Sequence, residues 1–250
     1  MAPPQHGSID GVVAVMHERL EGLSPEQAHR REFLGTYQRT TVAVGKAVSD
    51  GVFEDGPWVE AWDVAFAQLY LDALDADLAG NRVPRPWRLA FDAPTDLNPL
   101  QYVLLGINAH INYDLPQALL AVISDEDFGD AALIDRRRRD HERIDGVLSG
   151  RVAAEDDELA TVTARSLLDR VLRPLNQRAS KRFLREARQK VWHNTAELHE
   201  ARVAGPDEYA VRLAELEVLS AAKIADLLAP GQVLLRLAVA GFGVVLPPPG

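Results

Sequence analysis

The stretch LNPLQYVLLGINAHINYDLPQALLAVIS, residues 97–124, is the most apolar long run in a charge-rich chain, and its only formal charge is Asp114. Asn98 and Pro99 are typical of a helix start. The amide can accept from free N–H groups, and proline lacks only an N–H that the first turn does not use. The helix that follows is apolar on nearly all sides, which predicts a buried central helix surrounded by others.

Polar side chains interrupt this helix at alternate positions: Asn108, His110, Asn112 and Asp114. Pro116 follows. It cannot donate to the carbonyl of residue 112, and it disfavours helical geometry at residue 115. We therefore predict that the central helix is broken at this proline. A buried helix that carries polar groups beside a break is where a functional site is expected.

The rest of the chain predicts further helices and no sheet. Alternation with period two never persists beyond a few residues, whereas apolar residues recur three and four apart between prolines and glycines. The predicted helices cover residues 9–23, 25–50, 58–80, 131–148, 153–173, 180–203 and 207–228, with Gly150 ending the fourth and an apolar segment at 233–246. We expect an all-α, single-domain bundle of about eight helices over residues 9–246, with a disordered tail at 1–8 and a tail at 247–250.

Composition excludes several classes of protein. The net charge of −10 argues against nucleic-acid binding, and the absence of cysteine excludes disulfides, iron–sulfur clusters and thiolate zinc sites. The N-terminus lacks the basic start and apolar core of a signal peptide, and the polar residues inside 97–124 argue against a membrane span. We expect a cytoplasmic protein with no stable membrane insertion that takes a small-molecule substrate or ligand.

Two pairs of the type His-x-x-x-Asp face inward on separate predicted helices: His110 with Asp114, and His141 with Asp145. Imidazole and carboxylate are ligands for zinc, manganese or iron, and facing helices of a bundle can bring such pairs together. The pattern predicts a divalent-metal site with these four residues as ligands. His110, Asp114 and His141 are the predicted catalytic residues, because a bound metal makes a hydroxide nucleophile near neutral pH.

The leading hypothesis is therefore a metal-dependent hydrolase of phosphoester or similar bonds. Asn108, Asn112, Tyr70 and Asp63 are the residues expected to contact the substrate.

An alternative interpretation gives the same residues a structural role. The sequence from Asp114 to Gln117 also fits a helix N-cap with a capping-box glutamine. Asp114 would then satisfy backbone N–H groups, and His110 would be a hydrogen-bonded core histidine. The chain would be a non-catalytic helical module that binds a small apolar ligand or a protein partner. The arginine run 136–139 favours a solvated helix face, with phosphate or carboxylate binding as the alternative.

Residues 106–116, GINAHINYDLP, resemble a bacterial domain family of unknown function with the motif Gly-x-Asn-Ala-His-Ile-Asn-x-Asp-Leu-Pro. That resemblance covers most of the chain and implies a fold class but no activity. The chain is also faintly similar to the all-helical zinc phospholipase C and P1 nuclease group, in which a His-x-x-x-Asp pair lies on a core helix. His110 and Asp114 match that pair, whereas the later histidine is replaced by apolar residues near 119–120. This similarity implies a reduced site of one or two metals.

Overall fold

A computed structural model describes residues 7–97, 99–158 and 177–229, and the side chains described are those outside 28, 100, 145, 148–158 and 177–188. These ranges contain helices and no strand, so the predicted all-α class is confirmed. In chain order the elements are α1 (Ile9–Gly22), a 3₁₀ turn (Pro25–Gln27), α2 (Ala28–Ser49), α3 (Gly56–Leu78), α4 (Arg85–Phe91), α5 (Pro99–Ala109), a π-helical segment (His110–Asp114), α6 (Leu115–Val122), α7 (Asp125–Phe128), α8 (Ala131–Glu158), α9 (Gln177–Ala204) and α10 (Pro206–Leu228).

Local capping chemistry fixes several helix ends. Ser8 accepts the N–H of Gly11 and starts α1, and Asp55 accepts the N–H of Trp58 and starts α3. The α2 helix stops before Gly51, whose φ of 70° lies in the left-handed region that glycine adopts without steric cost. The sequence signals for these boundaries are therefore local.

The central run of α5, the π segment and α6 is enclosed by other helices. Helix α2 packs against α5, α3 packs against α6, and α9 and α10 cover the remaining sides. The largest fully buried side chains of the core include Trp87, Tyr70, Leu34 and Leu119. The prediction of a buried central helix is confirmed.

The predicted break at Pro116 is wrong, because the chain stays helical there and widens by one π-helical segment instead. Leu115 has φ −60° and ψ −42°, and its N–H donates to the carbonyl of His110, five residues earlier. Pro116 lies in the first turn of α6, where its missing N–H is tolerated. The side-chain amides of Asn112 and Gln117 donate to carbonyls one turn earlier and keep backbone acceptors satisfied.

Gly150 does not end its helix either, since α8 continues to Glu158. Glycine lowers the stability of a helix interior by about 1 kcal/mol but does not block helical geometry. The predicted helix at 153–173 lies outside the described residues beyond Glu158, as do the segment 233–246 and residues 1–6 and 247–250. Among the described helices, none is both long and apolar enough to cross a membrane.

Candidate functional site

His110 and Asp114 form a hydrogen-bonded pair inside the core. Their side chains are four residues apart on the π segment, and Nδ1 of His110 lies 2.8 Å from Oδ2 of Asp114. Trp87, on α4, donates its Nε1–H to the same Oδ2 atom at 2.8 Å. His110 is 3% exposed and Asp114 is 2% exposed, so the pair is shielded from bulk solvent.

The alternative role of Asp114 as an N-cap is wrong, because its side chain makes no capping bond to α6. Its Oδ2 atom faces His110 and Trp87 instead. The other half of that alternative, a hydrogen-bonded core histidine, agrees with the observed bond to Nδ1.

Aromatic rings enclose the imidazole of His110. The ring of Phe66, on α3, stacks on it with centroids 3.5 Å apart and an interplanar angle of 5°. Tyr37, on α2, approaches at 4.5 Å in an edge-on arrangement. Phe33, Tyr70 and Trp87 complete the enclosure at centroid distances of 5.9, 6.0 and 5.8 Å.

The motif glycine makes this enclosure possible. A Cβ added at Gly106 would lie 2.3 Å from Cγ of Phe33, closer than two carbon atoms can approach. Helices α2 and α5 therefore touch at a point where only glycine fits. The contact places Phe33 against the imidazole.

Burial sets the charge state of the pair. It lowers the pKa of the His110 imidazole well below its usual range. Burial also raises the pKa of the Asp114 carboxyl well above its usual range, and the Trp87 hydrogen bond opposes that shift without reversing it. We assign the pair its uncharged form: the Oδ2 proton is donated to Nδ1, and the ring carries its own hydrogen on Nε2.

Three buried polar side-chain atoms on the π segment and the helices around it have no hydrogen-bond partner within the described part of the chain. They are Nε2 of His110, the hydroxyl oxygen of Tyr37 and Oδ2 of Asp63. Buried polar atoms are almost always paired in folded proteins, so each orphan needs an explanation such as a ligand or a catalytic role. These three come from the π segment, α2 and α3.

Two of the predicted substrate residues, Asp63 and Tyr70, lie on the face of α3 that packs toward His110. Asp63 is one turn before Phe66, and Tyr70 is one turn after it. The other two are turned into their own helix. Asn108 donates to the carbonyl of Leu104, and Asn112 donates to the carbonyl of Asn108.

His141 lies in a separate aromatic pocket. Its ring centroid is 5.8 Å from that of Trp62 and 5.9 Å from that of Trp192, and its Nδ1 accepts the Trp192 indole N–H at 3.2 Å. The side chain of Asp145 lies outside those described. Over the described side chains, no group of three or more His, Cys, Asp or Glu residues is arranged to hold a metal. The four-residue metal site stays a prediction.

The arginine run on α8 makes ion pairs with carboxylates of the segment before α3. Arg137 bonds to Asp55, and Arg139 makes a bidentate pair with Glu54. The sequence did not single out Asp140 at the end of this run. Its fully buried carboxylate accepts the backbone N–H groups of Glu54 and Asp55, both at 2.8 Å. The ion pairs of the arginine run and the hydrogen bonds of Asp140 therefore connect α8 to the start of α3.

Sequence reasoning missed the two aromatic residues that complete the polar site. Trp87 is buried in the core, and its indole N–H donates to Asp114, 27 positions away. Tyr37 belongs to an ordinary helical stripe, and nothing in its spacing marks its unpaired hydroxyl. Contacts between residues far apart in sequence carry no local signal.

The fold and the site define an all-α protein with a buried, aromatic-walled His–Asp pair on a π-helical turn. The chain belongs to DUF5995, a family of unknown function, which matches residues 9–230. No curated protein and no solved structure matches the chain.

Proposed function

We propose that the chain is an enzyme that binds a small, largely apolar compound and donates a hydrogen bond from Nε2 of His110 to its carbonyl oxygen. The single observation that carries the proposal is the Nε2 atom, buried and without a partner among the described residues, on a ring whose other nitrogen is bonded to Asp114. A donor in a dry site is worth much more to a developing negative charge than the same donor in water.

The uncharged pair suits proton donation. As Nε2–H is transferred to an oxygen, Nδ1 receives the proton of Asp114, and the ring never has to hold a full positive charge. The carboxylate left behind keeps the hydrogen bond from Trp87. Neutral imidazole acting as an electrophile toward a carbonyl group is an established catalytic arrangement.

The walls restrict the ligand. Phe33, Phe66, Tyr70 and Trp87 surround the imidazole with aromatic carbon, so these neighbours favour an apolar ligand. The π segment supports a functional role, because single π turns within helices occur frequently at functional sites.

Acetophenone labelled with ¹³C at the carbonyl is the probe that tests this proposal. On binding, the carbonyl resonance should move downfield because its oxygen accepts a hydrogen bond. The variant His110→Phe keeps a ring to stack on Phe66 but has no N–H donor. In this variant the carbonyl shift should vanish and the affinity for acetophenone should fall by about tenfold or more, because one hydrogen bond is lost.

The matched control is His193→Phe, at an exposed position of α9. It should bind the probe like the unmodified protein. Equal affinity and an equal carbonyl shift in the His110→Phe protein would overturn the proposal, provided that circular dichroism shows the variant to be folded.

The metal-dependent hydrolase is a second proposal. A carboxylate bonded to Nδ1 of a histidine is the usual support for metal ligation through Nε2, and Asp114 would take that role beside His110 on losing its proton. Elemental analysis of the purified protein beside His110→Ala tests it. One or two equivalents of zinc, manganese or iron, lost in the variant, would favour the hydrolase. Metal content unaffected by the substitution would remove it.

A further inference from the structure

We propose that Asp63 is the catalytic base of this site and that the reaction is abstraction of a proton from the carbon next to the bound carbonyl group. The inference rests on the proposed function, because it needs His110 to hold the carbonyl oxygen. It adds a second catalytic residue and names the class of reaction.

The first support is the environment of Asp63. The side chain is 3% exposed, and Oδ2 has no hydrogen-bond partner within the described residues. No described basic side chain forms an ion pair with it. Burying a carboxyl without a hydrogen-bond partner is costly, and the unpaired Oδ2 atom is therefore available to a bound molecule.

The second support is its position relative to His110. Asp63 precedes Phe66 by three residues on α3, so the two side chains are neighbours on one helix face, about 5–6 Å apart at Cβ. Phe66 stacks directly on the imidazole. Asp63 therefore lies within one helical turn of the residue that stacks on the imidazole.

Tyr37 joins the two groups. Its ring is 4.5 Å from that of His110. Burial raises the pKa of its hydroxyl, and negative charge on Asp63 raises it further against a smaller opposing effect of Thr41, so the Tyr37 hydroxyl lies near the Asp63 carboxyl. The hydroxyl therefore keeps its proton at neutral pH and remains a hydrogen-bond donor.

Burial, with a smaller effect from the charge of Glu60, raises the pKa of Asp63 to about 7. A carboxyl with that pKa is a stronger base than an exposed one and is still ionised in about half of the molecules at pH 7. The environment of Asp63 brings its pKa near neutrality, whereas that of Asp114 keeps its carboxyl protonated. Enzymes commonly assign the base role and the acid role to two groups whose pKa values are separated in this way.

The step balances without a co-reactant. Oδ2 of Asp63 takes a proton from the carbon next to the carbonyl, and the electrons of that C–H bond form a carbon–carbon double bond. The carbonyl oxygen takes the proton of His110 Nε2, and Nδ1 takes the proton of Asp114. The enol that results returns to a ketone when a proton is delivered to the same carbon or to a conjugated one.

Exchange of the acetophenone methyl protons in deuterium oxide, followed by proton NMR at pH 8, measures this step. The unmodified protein should exchange them faster than buffer. Asp63→Asn should lower the catalysed rate by about a hundredfold or more and keep the carbonyl shift of the bound probe. Asp63→Glu should recover part of the rate, and Asp72→Asn, at an exposed carboxyl of the same helix, should leave it unchanged.

The outcomes separate the two proposals. Binding with a carbonyl shift but no catalysed exchange would overturn the role of Asp63 and leave the role of His110 intact. Exchange as fast in Asp63→Asn as in the unmodified protein would also overturn it. Absence of the carbonyl shift in the unmodified protein would overturn the proposed function, and this inference with it.

Discussion

Replacement of Asp63 by asparagine should raise the stability of the variant relative to the unmodified protein as the pH rises. In the folded protein, burial moves the pKa of this carboxyl from its ordinary value of 3.8 to about 7. Between these two values the folded state holds a proton that the unfolded state has released. The free energy of unfolding therefore falls as pH rises through this window. Above about pH 7 the full destabilisation by the ionised, buried carboxylate is present.

The structure gives the size of the effect. One pKa unit corresponds to about 1.36 kcal/mol, so a shift of roughly three units costs about 4 kcal/mol above pH 7 and almost nothing at pH 4. Asparagine has nearly the same shape and no charge. Its amide adds a penalty for burial that does not vary with pH. The stability difference between variant and unmodified protein should therefore grow by about 4 kcal/mol from pH 4 to pH 8.

Urea unfolding followed by the fluorescence of the four tryptophans measures this difference at each pH. Comparing two proteins at one pH cancels the contributions of His110 and Asp114 to first order. Asp72→Asn is the control because that carboxyl is exposed on the same helix. A difference for Asp63→Asn that stays constant from pH 4 to pH 8 would refute the reasoning.

Three further substitutions test the packing and hydrogen bonds around the site, each by urea unfolding. Gly106→Ala should destabilise the protein by about 2 kcal/mol, because its Cβ would collide with Phe33, and unchanged stability would show that α2 and α5 are not in contact there. Trp87→Phe should cost about 1–3 kcal/mol by removing the N–H that Asp114 accepts, and a neutral result would mean that the bond does not form. Asp140→Ala should cost about 3 kcal/mol and speed amide hydrogen exchange at Glu54 and Asp55, and slow exchange at both would contradict the role given to that carboxylate.

The sequence predicted the parts of the structure that depend on nearby residues. The all-α class follows from apolar spacing of three and four, and the His110–Asp114 contact follows from a separation of four residues on one helix. Both are local regularities, and both are present in the structure.

Whether the central helix ends or continues at Pro116 could not be predicted from nearby residues. Proline at 116 removes one donor, and a chain can respond by ending the helix or by adding a residue to the preceding turn. Here the amides of Asn112 and Gln117 supply donors to carbonyls of the turn, so the helix continues. The choice depends on neighbours that hold the run in place, and the proline alone does not decide it.

Long-range partners set the chemistry of the site. The hydrogen bond from Trp87, the stacking of Phe66 and the approach of Tyr37 join residues between 27 and 73 positions from the pair. No periodicity encodes such contacts. The sequence identified His110 and Asp114 as a pair but not the dry aromatic enclosure that sets their pKa values.

The tautomer of His110 is the most direct test of the account. Nitrogen-15 NMR of the imidazole distinguishes a hydrogen on Nε2, a hydrogen on Nδ1 and the doubly protonated cation. The account predicts a neutral ring with its hydrogen on Nε2 that does not titrate between pH 5 and pH 8, because burial lowers the pKa of His110 and raises that of Asp114. A ring that carries its hydrogen on Nδ1, or that becomes a cation near pH 6, would contradict it.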